Sequence, residues 1–430
     1  MPMFPNRLGD TGSQRAAPGR SAPRSMTGDA RATRSSPPAR VLVFAHRLEI
    51  GGTQVNAIEL AAHLRDRQGY DVAVLATPGP MTEYLDEHGL RYHPAPDADF
   101  HPSPARAAAL RRALLAEEPD VLHVWDAPQW LDACPIACLA IQVPTVVTSM
   151  SMVVERLLPR HLPLTFGTPE LVEIAQRGGR QQARLLLPPV DIDQNAPDPV
   201  CGRSFRREWR VRDDEFLVVT VSRLVSWMKA ESLRDTVSAV AALAAEGQKI
   251  RFAIVGDGTS RRELDALAAS VNRGLGREAV FLTGAMVDPR PAYAAADTVV
   301  GMGGSALRAL AFGKPLVVSG EKGFSMPFTH ETADLFYRVG MYGVGDNHDG
   351  SGLMASHLRF MLAQPAERRD ELSRLGRSFV VRHFALDVVG GTLGEMLAGA
   401  ASARRTFAPL LMDAVRTGLV LGGRSLLRTP

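Results

Sequence analysis

Two cations in the second half of the chain have the types and spacing to hold a phosphate-bearing ligand. Arg223 and Lys229 lie six positions apart, directly after the apolar run 216–221. A run of this kind predicts a buried strand, so both side chains are expected near a strand end. Arg binds phosphate through paired hydrogen bonds and Lys binds it as a compact charge. The pair therefore predicts a diphosphate clamp, with two solvated surface charges as the alternative.

Glycine-rich turns follow other apolar runs, where helices are expected to begin. Glycine lets the backbone approach a ligand closely, and a helix N-terminus offers free N–H groups to an anion. Each turn alone is compatible with tight structural packing, but several such turns together favour a phosphate-binding cleft. The turns comprise Gly51 and Gly52 with Thr53, then Gly256 and Gly258, then Gly301, Gly303 and Gly304 with Ser305.

The remaining reactive side chains form no recognisable constellation. His46 and His123 lie at or near the ends of apolar runs and are candidates for the cleft, although a lone histidine at a strand end more often has a structural role. Cys134, Cys138 and Cys201 have no Cys or His partners at metal-site spacing and make no even disulfide set. Buried free thiols and a reducing cytoplasm are therefore expected.

Continuous apolar runs alternate with helical stretches from residue 40 to about 400. Such runs are typical of parallel strands covered on both faces. Two successive arrays predict an α/β protein with two doubly wound, Rossmann-like domains, which bind ligands at the carboxyl ends of their strands and hence in the cleft between them. The runs are 41–45, 71–76, 121–124, 145–147, 162–166 and 184–187, then 216–221, 251–255, 280–282, 298–300 and 316–318.

Composition agrees with two domains. The chain has 430 residues and a net charge of +3, and its first 40 residues hold seven arginines against two acids. The rest is nearly neutral, which argues against a nucleic-acid surface. The sequence contains no run of about 18 apolar residues, so no membrane span is predicted. We predict a disordered basic tail at 1–39, a first domain at 40–195, a second at 196–385 and a closing segment at 386–430, with the hinge near 190–205.

The closing segment is rich in Ala, Leu, Gly and Arg. Residues 407–427 are largely apolar, and Arg416, Arg424 and Arg428 lie among or beside them. A helix packed on the protein or solvated is expected. The alternative is an amphipathic helix that contacts a partner or the surface of a membrane.

In order and spacing, the motifs resemble those of the retaining GT-B glycosyltransferases, the large group with a paired-glutamate donor motif. The resemblance covers roughly residues 41–385 and implies the GT-B architecture, two Rossmann-like domains facing each other across a cleft. In the first half the matching segments are 51–52, 120–123 and 189–191. In the second half they are 221–223 with Lys229, 254–258, 281–284, 293–297 and 306–318.

The resemblance implies a function for the cleft. Such enzymes transfer a sugar from a nucleotide diphosphate to an acceptor with retention of the anomeric configuration. Arg223 and Lys229 would neutralise the leaving diphosphate, and the glycine turns would contact phosphate or sugar, so that no metal or other cofactor is required. The first domain would bind a small-molecule, glycan or lipid-linked acceptor. The aromatic and glycine-rich segment 323–345 would lie near the donor.

The chain departs from the family at both motif glutamates, which are replaced by Val300 and Arg308. An arginine only donates hydrogen bonds, so it cannot accept them from ribose hydroxyls. Arg308 is expected to bind an extra phosphate or to pair with an acid such as Glu321. No catalytic residue is identified. A catalytically silent homologue that binds a nucleotide or a partner enzyme is the second interpretation, and an epimerase or phosphorylase of nucleotide sugars is the third.

Overall fold

The computed structural model describes residues 39–225, 229–346, 349–402 and 407–426. The first sheet has seven parallel strands in the order β3-β2-β1-β4-β5-β6-β7. Its order reverses between β1 and β4, which places the crevice of a doubly wound sheet beyond the ends of those two strands. The strands are β1 (Arg40–Phe44), β2 (Asp71–Ala76), β3 (Arg91–Pro94), β4 (Val121–Trp125), β5 (Thr145–Ser149), β6 (Leu164–Phe166) and β7 (Ala183–Leu185).

The second sheet has six strands in the order β10-β9-β8-β11-β12-β13. All its pairings are parallel except that of β13, which runs antiparallel to β12 at the edge. The strands are β8 (Phe216–Val221), β9 (Ile250–Val255), β10 (Val280–Gly284), β11 (Thr298–Gly301), β12 (Leu316–Ser319) and β13 (Ser325–Pro327).

Helices connect the strands and cover the sheets. In the first half they are α1 (Gly52–Gln68), α2 (Thr82–Glu87), α3 (Pro104–Glu117), α4 (Asp126–Cys134), which continues as a π-helical turn (Pro135–Ala140), and α5 (Pro169–Arg177). In the second half they are α6 (Pro199–Glu208), α7 (Ala230–Ala245), α8 (Arg261–Leu275), α9 (Arg290–Ala295), α10 (Gly304–Ala311), α11 (Ala333–Val339), α12 (Gly350–Leu362) and α13 (Ala366–His383). Two closing helices follow, α14 (Leu386–Ser402) and α15 (Phe407–Leu426).

The prediction of two Rossmann-like sheets is confirmed. Every predicted apolar run forms a strand, and the central strands are buried because helices cover both faces of each sheet. The structure adds β3 and β13, which are only partly buried and carry no continuous apolar run. Burial also extends across the two halves, since one core cluster holds Ile58 and Leu60 of α1 together with Leu307 and Leu310 of α10.

The chain passes between the sheets twice at neighbouring positions. The first passage lies in 186–198, because α6 already packs on α9 of the second half. Val190 meets the second passage, donating its N–H to the Phe384 carbonyl (2.7 Å) and accepting from the Leu386 N–H (2.9 Å). The end of the predicted hinge, 199–205, therefore belongs to a helix. The predicted tail at 1–39 lies outside the described residues except for Ala39.

Both closing helices return to the first half. Helix α14 packs on α1, where Gln68 Nε2 donates to the Gly390 carbonyl at 2.7 Å and the Tyr70 hydroxyl to the Gly394 carbonyl at 2.8 Å. Asp413 of α15 is fully buried and accepts hydrogen bonds from three successive backbone N–H groups at 160–162. No helix among the described residues is long and apolar enough to cross a membrane.

Candidate functional site

Two unpaired cations lie together after β8. Neither the Arg223 nor the Lys229 side chain forms a hydrogen bond or an ion pair with any described residue, and Lys229 precedes the first turn of α7. Burial, reinforced by the charge of Arg223, lowers the pKa of Lys229 to about 8. Two neighbouring cations without a counter-charge repel each other, so an anionic ligand that touches both would be bound favourably.

The glycine turn of the first half lies beside Arg223. A Cβ atom on Gly51 would lie 3.8 Å from the guanidinium carbon of Arg223, whereas one on Gly52 would meet nothing within 4 Å. The N-terminus of the 17-residue helix α1 begins at Gly52, and Thr53 lies half-buried in its first turn. The structure thus brings a helix N-terminus and two cations together from opposite halves, an arrangement suited to a diphosphate.

Gly256 and Gly258 pack against the backbone of the loop that carries Arg223. Both have positive φ angles, 142° and 153°. A Cβ on Gly256 would collide with the Ser222 carbonyl, and one on Gly258 with the Leu224 carbonyl. Their N–H groups are already engaged, by the Gly284 carbonyl and by Asp257 Oδ1. These glycines therefore allow the backbone that carries Arg223 to pack closely, and they offer no free N–H group to a ligand.

The turn after β11 leads into α10. Gly303 has a φ of 56° and donates its N–H to the Met341 carbonyl, and a Cβ on Gly301 would meet Ser305 Oγ at 3.2 Å. The Ser305 hydroxyl accepts a hydrogen bond from the buried Tyr293 hydroxyl at 3.0 Å. The N–H groups of Gly304 and of the rest of this first turn have no partner within the helix and remain the part of the turn available to an anion.

Arg308 points towards an acid of the first half. Its guanidinium forms no hydrogen bond with the described residues, yet its charge acts on Glu59 of α1. Burial raises the pKa of Glu59, which Arg308 partly offsets, and Glu59 Oε1 accepts from the Tyr84 hydroxyl at 3.1 Å. Glu321, the acid proposed from the sequence, instead pairs with Tyr342, and burial together with this hydrogen bond raises the pKa of that phenol.

His123 is not in the cleft, so that expectation is wrong. The residue lies inside β4 with 1% exposure, and its Nε2 is 2.7 Å from the Thr148 hydroxyl. Burial lowers its pKa to about 3, which keeps the ring neutral. Because helices cover both faces of this sheet, a histidine in the middle of a strand enters the core whichever way it points.

His46 does lie at the carboxyl edge of the first sheet. Its Nε2 is 2.9 Å from Oδ2 of Asp126, a residue that no sequence pattern singled out. Asp126 follows β4, the neighbour of β1, so the strand order brings the two side chains together. Strand adjacency would have been the signal for this pair.

The described residues contain no group of three or more His, Cys, Asp or Glu side chains placed to hold a metal ion. Metal independence stays a prediction. Of the three free thiols, Cys134 and Cys138 are buried as expected, whereas Cys201 is only partly buried.

Two family models match the chain, one on each of the halves that form the two sheets. Residues 50–166 match the sequence model of Glycosyltransferase Family 4, and residues 215–340 match that of Glycosyl transferases group 1. The two matches thus fall on different halves of the chain. No curated protein matches the chain.

Solved structures share the architecture at low sequence identity. A glycosyltransferase from Rickettsia africae is 14% identical with a TM-score of 0.67, covering 86% of this chain and 100% of its own. Anabaena HepE, in complex with UDP-glucose, is 16% identical with a TM-score of 0.63, over 84% and 99%. WaaG, a glycosyltransferase involved in lipopolysaccharide biosynthesis, is 15% identical with a TM-score of 0.59, over 84% and 100%. The fold is the two-domain GT-B fold.

Proposed function

We propose that this chain, whose two halves match the family 4 and group 1 glycosyltransferase models and form a GT-B fold, transfers a glycosyl group from a nucleotide-sugar donor to an acceptor. The observation that supports this best is the pair of cations Arg223 and Lys229, which have no partner among the described residues, with Arg223 beside the glycine turn at the N-terminus of α1. Departure of a nucleoside diphosphate concentrates negative charge on its phosphates, and fixed cations at that place stabilise the charge.

The similar structures support the donor class. Anabaena HepE is described in complexes with UDP, with UDP and glucose, and with UDP-glucose. A nucleoside diphosphate has two anionic groups, which suit a two-cation clamp beside a helix N-terminus. The clamp uses side-chain cations and backbone N–H groups, so we propose that the chain binds its donor without a metal ion.

Retention of configuration and the nature of the acceptor are the finer parts of the proposal. Retention rests on the sequence resemblance, although Val300 and Arg308 replace the family's glutamates. The NMR signal of the anomeric proton in the first product tests it. We place the acceptor, a small molecule, a glycan or a lipid-linked glycan, against the first sheet, because the donor clamp belongs mainly to the second.

A catalytically silent homologue is the second candidate, and the same two replacements favour it. Such a protein would bind a nucleotide or a partner enzyme without transferring sugar. The clamp cations support nucleotide binding by either candidate, so turnover of a sugar donor is the property that separates an enzyme from a silent nucleotide-binding homologue.

Calorimetric titration with UDP, GDP, ADP and dTDP tests the binding half of the proposal. We expect micromolar binding of one nucleotide without metal, little changed by magnesium. Absence of binding by all four, with and without magnesium, would refute the nucleotide site.

A further inference from the structure

A cavity lies at the amino edge of the second sheet, away from the clamp formed by Arg223 and Lys229. Three of its lining residues, Asp213, Asp297 and Lys314, come just before β8, β11 and β12. These strands run parallel, so all three end at the opposite, carboxyl edge, where the clamp lies. Since β8 has six residues, about 3.3 Å per residue separates the two edges by roughly 20 Å. The cavity is therefore distinct from the crevice in which doubly wound sheets bind ligands.

The cavity is large enough for a small molecule. Its volume is about 380 Å³, within the range of roughly 300–1,000 Å³ that small-molecule sites occupy. One wall is a face of α6 that includes Gly202 and Arg203, and the opposite wall is the segment 294–297, which joins α9 to β11. A Cβ on Gly202 would lie only 2.7 Å from the Ala294 carbonyl oxygen. Close backbone packing therefore fixes the two walls relative to each other.

Arg206 of α6 is occupied within the fold. Its Nε donates to the Ala295 carbonyl at 3.1 Å, its Nη1 to two carbonyls of the segment 212–215, and its Nη2 to Asp297 Oδ2. The same carboxylate oxygen accepts the Leu217 N–H at 2.7 Å. Both charges of this ion pair are thus satisfied, and the pair holds the cavity walls in place.

Lys314 is the shielded cation that remains for a ligand. Its ammonium donates to the Ala294 carbonyl at 2.7 Å and forms no other hydrogen bond or ion pair with the described residues, although an ammonium has three N–H donors. Burial lowers the pKa of Lys314, while the charges of Asp297 and Arg206 act on it in opposite directions. A shielded ammonium with one neutral acceptor is unfavourable, so an anion that completes its hydrogen bonds would be bound favourably.

Two further charged side chains of the cavity, Arg203 and Asp213, are exposed and have no partner among the described residues. The remaining acid, Asp198, accepts two backbone N–H groups at the start of α6 and is therefore engaged. Lys314 and Arg203 offer two positive charges to an oxyanion, and Asp213 offers an acceptor to a hydroxyl group. This combination suits a molecule that carries both a phosphate and hydroxyl groups.

We propose that this cavity is a second ligand site, which binds a small phosphorylated sugar with its phosphate on Lys314 and Arg203 and a hydroxyl group on Asp213. A lysine that served only the packing of the fold would gain most from a carboxylate partner. Asp297, the acid whose charge reaches Lys314, is already paired with Arg206. The site lies outside the donor cleft and does not depend on the glycosyltransferase function proposed above.

Calorimetric titration of the full chain with glucose 6-phosphate tests the site, with inorganic phosphate and glucose as comparison ligands. The protein carries Arg223→Ala/Lys229→Ala, so that the probe does not bind at the donor clamp. We expect glucose 6-phosphate to bind, inorganic phosphate to bind more weakly and glucose not to bind. Adding Lys314→Met or Arg203→Ala should lower the affinity for glucose 6-phosphate by about tenfold or more, the usual effect of losing a charge-assisted hydrogen bond.

Arg207→Ala is the matched control, because Arg207 is exposed on the same helix and does not line the cavity. It should leave the Kd unchanged. Asp213→Ala should reduce the ratio of the affinity for glucose 6-phosphate to that for inorganic phosphate, since it removes the hydroxyl acceptor.

An unchanged Kd in Arg203→Ala, a side chain whose loss breaks no contact of the fold, would overturn the proposal even if Lys314→Met failed to fold. Absence of glucose 6-phosphate binding would overturn it as well, and an unchanged affinity ratio in Asp213→Ala would overturn the assignment of a sugar. None of these results changes the release of nucleotide from a sugar donor, so the failure of this site and the failure of the proposed function are distinguishable.

Discussion

Replacement of Lys229 by methionine probes the clamp quantitatively. Burial and the charge of Arg223 lower the pKa of this lysine from 10.5 to about 8. At 1.36 kcal/mol per pH unit, holding the ammonium charged in the free protein costs about 3 kcal/mol. A diphosphate that restores the ordinary pKa recovers at most this amount, which corresponds to roughly a hundredfold in affinity. Lys229→Met should therefore weaken nucleotide binding by up to about a hundredfold.

The same shift fixes the sign of the pH dependence. Below pH 8 the free lysine already carries its proton, whereas above pH 8 binding must take one up. The wild-type Kd should rise with pH above 8, by up to about tenfold per unit. Lys229→Met should lack this dependence, and the difference between the two proteins cancels any titration of the nucleotide itself.

The stability of the ligand-free wild type should rise with pH over the range in which its affinity for the nucleotide falls. A lysine with a lowered pKa in the folded state destabilises the protein most where it is charged, below pH 8, and the penalty disappears as pH approaches 10.5. The variant should melt at a higher temperature than the free wild type at pH 7, with a smaller gain at pH 9.5. Calorimetry from pH 7 to 9 and thermal denaturation provide both readouts. A pH-independent wild-type Kd, or unchanged affinity in Lys229→Met, would refute the clamp.

Four further changes test other parts of the structure. Gly256→Ala should destabilise the fold by about 1–3 kcal/mol and weaken nucleotide binding, because it displaces the loop that carries Arg223. The control Gly274→Ala, on an exposed part of α8, should raise or preserve the melting temperature. Equal melting temperatures of the two variants would exclude the packing role of Gly256. Asp413→Ala should cost about 3 kcal/mol because the fully buried carboxylate is the acceptor of three backbone N–H groups, that of Leu162 buried and those of Arg160 and His161 partly buried, and limited proteolysis should then release α15. Glu59→Gln should raise the melting temperature at pH 7.5 but not below pH 4.5, since a raised carboxyl pKa costs stability only where the group is ionised. Val415→Glu, on the exposed apolar face of α15, should reduce sedimentation with anionic vesicles, and wild type that stays in the supernatant would rule out membrane contact.

The fold could be predicted because its central strands are covered on both faces and therefore appear as unbroken apolar runs. Edge strands lack this signal. Residues 91–94, Arg-Tyr-His-Pro, form β3 with no fully buried residue, and their strand conformation depends on pairing with β2. The positions of the clamp cations could be predicted as well, since a short loop after a parallel strand can only lie at the carboxyl edge.

Contacts between distant segments could not be predicted from the sequence. Asp126 follows β4 and meets His46 because β4 lies beside β1, an adjacency that no local pattern encodes. Arg308 acts on Glu59 rather than Glu321 because the two halves pack together along α1 and α10. Gly256 and Gly258 indicated from the sequence that some group approaches the backbone closely. They did not indicate that this group is another part of the chain and not a ligand.

The central claim is that the chain transfers sugar from a nucleotide-sugar donor, and donor turnover tests it most directly. Purified protein is incubated with UDP-, GDP-, ADP- and dTDP-sugars, and the released nucleoside diphosphate is measured for the wild type and for the double variant Arg223→Ala/Lys229→Ala. We predict that the wild type releases one of the four and that the double variant, still folded, releases it at least about a hundredfold more slowly. Equal release by both proteins would contradict the clamp, and no release by the wild type would contradict the glycosyltransferase function.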